Sequence, residues 1–463
     1  MTRNDLPLKP LLLMTIAAFG LQFGSILQMS NMSVIYKYLG ANVNDMAYLW
    51  IAAPLIGLLA QPVIGFMSDR TWCKFLPKRY GRRQPYIFYY AVLGFFAILI
   101  LPNSTTLLMA FLLLWVMDLS TNGAQEPLRA MLGDMSSEKQ MTKTFAYYTI
   151  FASLGATLAA IMPWIMEHFC DPAAASGNGI PLPIKLTFHI GAFAFLVFTC
   201  ITIFTTRENP PEDMDAFLAE KEELRKINVF IRIWGATKDI CEKVVHMPPV
   251  LKEFWIPQLF IWFGLFCMWV YFSIGVAQSV YGLPPGADMK SNPAFSQELM
   301  SGAALCGICF ATYQVVSFVY CFFLPSIAKK TGGKAAYGLS LLAGGIGLIG
   351  AFFTHDAHVL ILCMVGVGIA WGGIMTMPYS IIAHKISQED LGVYMGLFNI
   401  TICIPQIICS LILTVISEHV FHNNAMEIVC LGGITMFIGA LLMIRLQLKD
   451  NRKAGKPAQT LLN

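Results

Sequence analysis

Long apolar segments separated by short polar ones make up most of this chain. Twelve predominantly apolar runs recur along it, and most reach the roughly 20 residues that a helix needs to cross a bilayer. The pattern predicts an all-α, polytopic membrane protein with 12 transmembrane helices, called spans 1 to 12. Their predicted limits are 10–36, 46–68, 85–102, 105–132, 143–166, 186–205, 254–281, 298–323, 335–353, 357–384, 391–417 and 424–446.

A charged segment, residues 206–252, divides the spans into two sets of six. It opens R-E-N-P-P-E-D, where Pro210 ends any helix, and continues as an amphipathic stretch predicted to lie on the cytoplasmic membrane surface. The predicted domains are an N-terminal six-helix bundle, the linker, a C-terminal six-helix bundle and a cytoplasmic tail. Their limits are 1–205, 206–252, 253–446 and 447–463.

Two pairs of residues indicate an internal repeat. Gly81 and Gly332 follow spans 2 and 8, and Pro127 and Pro378 lie in spans 4 and 10; both pairs are 251 residues apart. Such a duplication predicts two pseudo-symmetric bundles. Six spans, a linker and six spans resemble the layout of a major facilitator fold.

The distribution of Lys and Arg predicts the orientation. With the N-terminus in the cytoplasm, 28 of the 31 Lys and Arg lie on the cytoplasmic side, and only Lys37, Lys185 and Lys290 lie outside. We therefore expect both termini to be cytoplasmic.

Composition agrees with a membrane protein: 56% of residues are hydrophobic and 13% charged, against about 25% charged in soluble domains. The net charge of +4 gives no reason to expect a nucleic-acid partner. The twelve cysteines are scattered, so no disulfide framework is predicted. Cys306-x-x-Cys309 and the His355–His358 pair lack further ligands nearby, and we predict neither a metal site nor a cofactor.

Span 4 carries a narrow polar stripe in an otherwise apolar helix. At 100° per residue, Asp118, Asn122, Gln125 and Arg129 fall within about 60° of one another. An ionisable group at membrane depth costs roughly 2.5–3.5 kcal/mol on insertion scales, so it seldom occurs without a polar cavity to face. We interpret Asp118 as functional; the alternative is a structural hydrogen bond to a neighbouring helix.

Amides and aromatic rings recur at depth in other spans, including Trp262 and Trp269 of span 7. Helix packing explains any single one, but the set suits a polyol, since hydroxyls need neutral partners and sugar rings lie on aromatic faces. No basic cluster lies at mid-membrane, which argues against a phosphate or dicarboxylate substrate. The predicted substrate-binding residues are Asn122, Gln22, Gln28, Asn31, Gln61, Gln125, Gln314, Trp371, Asn399 and Gln406.

The loop between spans 2 and 3 resembles the facilitator signature G-x-x-x-D-R-x-G-R-R, with extra residues inserted. It reads Gly65…Asp69-Arg70, then ten residues, then Gly81-Arg82-Arg83. We expect a cytoplasmic gate, in which Asp69 pairs with basic groups or a helix N-terminus and the glycines permit close helix approach. The alternative is an ordinary positively charged loop. Glu126, three residues from Arg129, is the expected partner of that arginine in the same gate.

Together these motifs resemble the sucrose- and maltose-type proton symporters of the glycoside–pentoside–hexuronide branch. Span 1 is similar to Q-F-G-x-x-L-Q from Gln22, span 4 to D-x-x-x-N…P-x-R-A from Asp118, and spans 10 and 11 to G-I-A-W…M-P-Y…P-Q. The resemblance implies proton-coupled sugar uptake, with Asp118 as proton carrier and Asn122 near the sugar. The long loop after Arg70, the charged linker and Gln84 depart from the pattern.

Two other functions remain open at this point: a sodium-coupled or export carrier on the same fold, and a non-transporting sugar sensor. No H-E-x-x-H, G-x-S-x-G or P-loop is present, so an enzyme is not expected. The expected partners are a sugar, a proton and the lipid bilayer, and the protein is expected to act as a monomer. The expected location is the plasma membrane, with the bacterial inner membrane favoured.

Overall fold

The computed structural model describes most of the chain, but few residues of the linker and none of the tail. The described residues are 5–69, 71–77, 79–137, 140–170, 179–208, 249–287, 295–385 and 391–446, with residues 210, 214, 217 and 292. Within them, 12 helical segments are long and apolar enough to cross a membrane. The predicted all-α polytopic fold is confirmed, while the predicted amphipathic linker helix and cytoplasmic tail lie outside the described residues.

Spans 1 and 2 each consist of two consecutive helices, whereas the other spans are single helices. The first six spans are Leu8–Thr15 with Ala17–Tyr38, Val43–Leu49 with Ala52–Asp69, Gln84–Ile100, Leu107–Met135, Met141–Phe169 and Leu182–Thr205. The last six are Pro249–Tyr281, Ser296–Thr331, Gly333–Phe352, Ala357–Lys385, Leu391–His419 and Ala425–Arg445.

Span 8 is longer than predicted because its helix does not stop where the apolar run stops. It continues through Pro325 to Thr331 and includes Lys329 and Lys330 in its last turn, where positive charge is favoured by the helix dipole. It ends at Gly332, whose φ of +85° is open to glycine and strained for other residues.

A short β-hairpin lies between spans 2 and 3, where the sequence predicted a loop. Strand β1 (Cys73–Leu76) pairs antiparallel with β2 (Arg79–Gly81). Phe75 is buried, and its ring centroid lies 6.1 Å from that of Phe88 in span 3. The extra residues in the signature motif therefore form a folded element docked on span 3.

The chain forms two compact units that do not follow chain order. Unit 1 comprises Met1–Leu27, Leu55–Ala159 and Lys185–Val245. Unit 2 comprises Gln28–Pro54, Ala160–Ile184 and His246–Asn463. The predicted domain limits at the linker stay a prediction.

Within unit 2, side-chain hydrogen bonds tie the early segment Gln28–Pro54 to later spans. The Ser33 hydroxyl donates to the Val270 carbonyl at 2.7 Å and accepts from the Trp50 indole N–H at 2.9 Å. The Tyr38 hydroxyl donates to the Ser296 carbonyl at 2.8 Å. These bonds join spans 1 and 2 to spans 7 and 8.

The spans show large apolar side chains on their exposed faces, as expected of helices surrounded by lipid. Examples are Leu108, Leu112, Phe322, Ile346, Leu362 and Val415. Spans 4 and 10 are both 29-residue helices that contain their repeat-related prolines, Pro127 and Pro378. Most of the polar residues discussed below lie instead on buried or partly buried faces, and Arg129 is an exposed exception.

Candidate substrate and coupling site

Asp118 lies in the middle of span 4 and is only 5% exposed. Its backbone carbonyl accepts a hydrogen bond from the Asn122 side-chain amide at 2.9 Å, one turn further along. A carboxylate this deep in an apolar helix is costly to hold in its charged form. Asp118, the predicted proton carrier, is thus buried and is bonded to Asn122, the residue predicted to bind the sugar.

A second amide completes this group, which we call the span 4 polar site: Asp118, Asn122 and Gln61. Gln61 Nε2 of span 2 donates to Asn122 Oδ1 at 2.6 Å. The side chains of Gln61 and Asn122 are both partly exposed. Three predicted site residues from two spans of unit 1 are therefore brought together.

The C-terminal half of the same stripe contacts span 5. Gln125 Nε2 and Arg129 Nε both donate to the Tyr148 hydroxyl, at 3.2 and 3.3 Å. The predicted Arg129–Glu126 ion pair is confirmed at 2.9 Å. Because Gln125 is engaged by span 5, it stands apart from the Asn122–Gln61 pair.

Arg83 joins the neighbouring ends of three spans in unit 1. Its side chain is 7% exposed, and its Nε lies 3.2 Å from Asp134 Oδ2 at the end of span 4. Its Nη1 also donates to the Ser68 hydroxyl of span 2 at 2.8 Å. A charged hydrogen bond of this kind holds the ends of spans 2, 3 and 4 together.

Glu208, just after span 6, caps the N-terminus of span 3. Its carboxylate accepts from the backbone N–H groups of Arg82 at 2.6 Å, Arg83 at 2.9 Å and Gln84 at 3.2 Å. Burial raises the pKa of Glu208, while these N–H donors and the Arg83 guanidinium oppose the rise. A Cβ atom on Gly81 would lie 2.6 Å from Glu208 Oε2, so the glycine makes room for the carboxylate.

Three further gate residues belong to the signature motif: Gly65, Asp69 and Arg70. Arg70 and the side chain of Asp69 lie outside the described residues. At Gly65, no described atom lies within 4 Å of the position that a Cβ would take. At Gly81 the close neighbour is the Glu208 carboxylate, so the close helix approach expected of the motif glycines is observed at neither position.

The predicted residues of span 1 are divided between the units. Gln22 is partly exposed and belongs to unit 1, whereas Gln28 and Asn31 belong to unit 2 and are 2% and 0% exposed. The Asn31 amide donates to the neighbouring Ser30 hydroxyl at 2.7 Å. The drift of about 60° per three-residue step places the three side chains on different faces of span 1.

In unit 2, Trp371 and Gln314 lie close to one group of aromatic rings. Gln314 Nε2 donates to the Tyr313 hydroxyl at 3.4 Å, and the Tyr313 ring centroid is 6.4 Å from that of Trp371. Asn399 and Gln406 are partly exposed positions of span 11.

Sequence reasoning missed Asp134, Glu208 and Tyr148. Asp134 ends the same stretch as Asp118, and its place in the last turn of span 4, at the level of the basic loop, was a usable signal. Glu208 and Tyr148 contact their partners only through the fold, so nothing in the sequence indicated those contacts.

No group of three or more His, Cys, Asp or Glu residues that could hold a metal ion occurs in the described part of the chain. Twelve spans with a buried carboxylate and amides inside one unit, and charged contacts at the helix ends, define a membrane transporter rather than an enzyme.

The chain belongs to the Major Facilitator Superfamily, whose family model matches residues 14–410. It is similar to the sucrose transport protein SUC4 of Arabidopsis thaliana, with 22% identity over 96% of this chain and 90% of the relative. Sucrose transport protein SUT2 of Oryza sativa subsp. indica is 25% identical over 88% of this chain and 87% of its own length. These relatives confirm the resemblance to sucrose-type carriers that the motifs indicated.

A solved structure of a peptide transporter, POT in complex with sulfate, shares the fold. Its TM-score is 0.66 at 14% identity, and the match covers 96% of both chains. The nucleoside transporter NupG aligns with a TM-score of 0.64 at 13% identity, over 95% of this chain and 100% of its own.

Proposed function

We propose that the protein is a proton-coupled symporter that takes up a sugar, a sucrose- or maltose-like glycoside, by alternating access. The observation that carries the proposal is the span 4 polar site, in which the buried Asp118 accepts a hydrogen bond, through its backbone carbonyl, from one of two amides that are bonded to each other. The names of the sucrose transport proteins it resembles support the same substrate class.

The chemistry of the site suits a neutral polyhydroxylated ligand. Asn122 and Gln61 each offer both donors and acceptors, which match sugar hydroxyls without introducing charge. In this structure the two amides are bonded to each other, and the Asn122 amide also donates to the Asp118 backbone carbonyl. A sugar would exchange these amide contacts for contacts to its own hydroxyls.

Asp118 supplies the coupling in this proposal. Its charge is expensive to bury, so taking up a proton from the outside removes that cost and favours the sugar-bound, closed state. Opening to the cytoplasm then releases sugar and proton together. Because binding of each ligand favours the state that binds the other, the two fluxes are linked.

The cytoplasmic contacts act as the gate. Arg83 with Asp134 and Ser68, Glu208 at the start of span 3, and the Arg129–Glu126 pair are all charge-assisted contacts between or near span ends. We infer that these contacts latch the cytoplasmic side while it is closed, with Gly65, Asp69 and Arg70 as further gate residues.

Transport into proteoliposomes tests the proposal. Purified protein is given labelled sucrose or maltose, with an inward proton gradient, an inward sodium gradient or no gradient. We expect accumulation with the proton gradient alone. Asp118→Asn should abolish that accumulation yet retain exchange of internal for external sugar, because the neutral amide mimics the protonated acid.

The matched control is Asp356→Asn, in the turn before span 10. Asp356 is fully exposed, and backbone N–H donors from His358 and Val359 lower its pKa. Asparagine preserves that cap, so this variant should transport as wild type does. Proton-driven accumulation that survives Asp118→Asn would refute the role of Asp118, and accumulation driven by sodium would establish the sodium-coupled alternative.

A further inference from the structure

Three polar side chains of unit 1 meet where span 3 ends and span 6 begins. Lys185 Nζ donates to Asn103 Oδ1 at 3.2 Å, and Asn103 Nδ2 lies 3.4 Å from His189 Nε2. Asn103 ends the short helical turn Leu101–Asn103 that follows span 3, while Lys185 and His189 lie one turn apart in span 6. We call these three residues the Lys185 cluster, and the transport proposal uses none of them.

The ammonium of Lys185 occupies a position that is unfavourable for a positive charge. It lies in the first turn of span 6, where the helix dipole favours anions over cations. Lys185 is 8% exposed, and no described carboxylate forms an ion pair with it. It is also one of the few basic residues on the side predicted to be external. Buried charges in proteins are as a rule paired, so an anionic ligand would stabilise this position.

Hydrogen bonds fix the orientation of the cluster. Because an ammonium can only donate, Asn103 Oδ1 must face Lys185, which turns Asn103 Nδ2 toward the Leu99 carbonyl oxygen at 3.1 Å and the His189 ring. An ammonium carries three hydrogens, and among the described residues Lys185 bonds only to Asn103, so two hydrogens remain for a ligand oxygen. Asn103 is exposed and His189 is partly exposed, so the cluster opens on the molecular surface.

The surface next to the cluster is apolar. At 100° per residue, His189 lies within about 40° of Leu182 and Phe193 around span 6, and these two are 36% and 55% exposed. The Phe193 ring contacts that of Phe95 in span 3, with centroids 5.3 Å apart, and Ile100 of span 3 is also exposed. Exposed apolar side chains on two membrane-spanning helices are typical of a face that contacts acyl chains.

We propose that the Lys185 cluster binds the phosphate group of a phospholipid, whose acyl chains lie along the exposed apolar faces of spans 3 and 6. A phosphate oxygen accepts a charge-assisted hydrogen bond from Lys185, and its negative charge is favoured at the start of span 6. With the predicted orientation, this lipid belongs to the outer leaflet. A phosphate-binding group at the edge of an apolar face favours a lipid over a soluble phosphate. The inference does not depend on the proposed function.

Hydrogen exchange of residues 182–189, followed while a ligand is added to the purified full-length protein in detergent, gives a Kd specific to this site. The probes are phosphatidylglycerol, a diacylglycerol with the same chains but no phosphate, and glycerol 3-phosphate, which has no chains. For wild type we expect phosphatidylglycerol to slow the exchange and to bind about tenfold more tightly than either other probe, because it alone offers both phosphate and chains.

Lys185→Gln keeps a donor for Asn103 and removes the charge. It should raise the Kd for phosphatidylglycerol roughly tenfold, the size of one lost charge-assisted hydrogen bond. Lys185→Arg keeps the charge and should stay within about threefold of wild type, since a guanidinium also binds phosphate. Lys143→Gln is the matched control, because it removes a positive charge from an exposed position of span 5. It should leave the Kd unchanged.

Three results would overturn the proposal. Equal affinity for phosphatidylglycerol and diacylglycerol would mean that the phosphate is not recognised, and equal affinity for glycerol 3-phosphate would assign the cluster to a soluble anion. An unchanged Kd in Lys185→Gln would mean that Lys185 only ties span 6 to span 3. The wild-type ligand series decides the question even if Lys185→Gln does not fold. None of these measurements involves transport, so failure of the lipid site and failure of the symport proposal are distinguishable.

Discussion

At Gly81 a glycine is required by a neighbouring carboxylate rather than by a turn. Its φ is not in the left-handed region, yet a Cβ there would lie 2.6 Å from Glu208 Oε2. The hydrogen in place of a side chain lets Glu208 reach the N–H groups of the three residues that follow. The equivalent glycine of the second half, Gly332, has a φ of +85° and caps a helix, so the two repeat positions use glycine for different reasons.

Gly81→Ala should lower the free energy of unfolding by about 1–3 kcal/mol, because the carboxylate or the hairpin must shift to accommodate the methyl group. Thermal unfolding in detergent measures the effect. Gly133→Ala is the control: no described atom lies within 4 Å of its Cβ position, and alanine is the better helix former.

A double-mutant cycle with Glu208→Ala locates the cause of that loss. If the clash is with the carboxylate, the cost of Gly81→Ala should largely vanish once Glu208 is truncated, because the two residues are in direct contact. A cost that is the same in both backgrounds would mean that the methyl group disturbs something else.

At the residue scale, the sequence predicted contacts within one helix but not contacts between residues far apart in the chain. Asp118 and Asn122 could be predicted to share a face from their four-residue spacing alone, and the Glu126–Arg129 pair followed from a spacing of three. The Asn122–Gln61 bond and the Glu208 cap could not be predicted, because they join residues far apart in the chain through helix packing that spacing does not encode.

At the scale of elements, the β-hairpin and the end of span 6 stabilise each other. Arg79 of β2 donates to the carbonyl oxygens of Ile203 at 2.6 Å and Thr206 at 3.1 Å, and also to that of Phe204, over whose ring it lies. Those carbonyls end a helix and lack intrahelical donors, so one guanidinium satisfies the C-terminus of span 6.

Arg79→Gln should therefore loosen the last turn of span 6. Hydrogen exchange of the backbone amides of residues 203–208 should become faster, because the helix end loses both its cap and a favourable charge at its dipole. Lys74→Gln, on the exposed side of β1, is the matched control and should leave that exchange unchanged. Equal exchange in the two variants would show that Arg79 does not hold the helix end.

Most elements could be predicted because a transmembrane span is recognisable from its length and hydropathy. All twelve spans were located in this way. The hairpin could not, because its strands of four and three residues are too short to show a period of two. Helix ends were also misjudged where a helix continues beyond the apolar run, as in span 8, since hydropathy marks the bilayer and not the backbone hydrogen bonds.

At the scale of the whole molecule, the charge distribution makes a prediction about orientation. With 28 of the 31 Lys and Arg on one side, the N- and C-termini should both be cytoplasmic. A fluorescent protein fused after Asn463 should fluoresce, and alkaline phosphatase at the same place should be inactive. A fusion at Gly286, in the turn between spans 7 and 8, should show the reverse. Opposite signals at both sites would invert the orientation.

The composition of the two units has a consequence for dividing the chain. Unit 2 includes Gln28–Pro54 and Ala160–Ile184, which precede the linker in sequence. Of the two fragments made by cleaving the linker, the second would lack two segments of its own unit, and the first would carry those two segments in addition to the spans of unit 1. Co-expressed fragments would complement each other only if the first fragment supplied these two segments to the second, as in a domain swap. In the intact polypeptide the same two segments complete unit 2 within one chain.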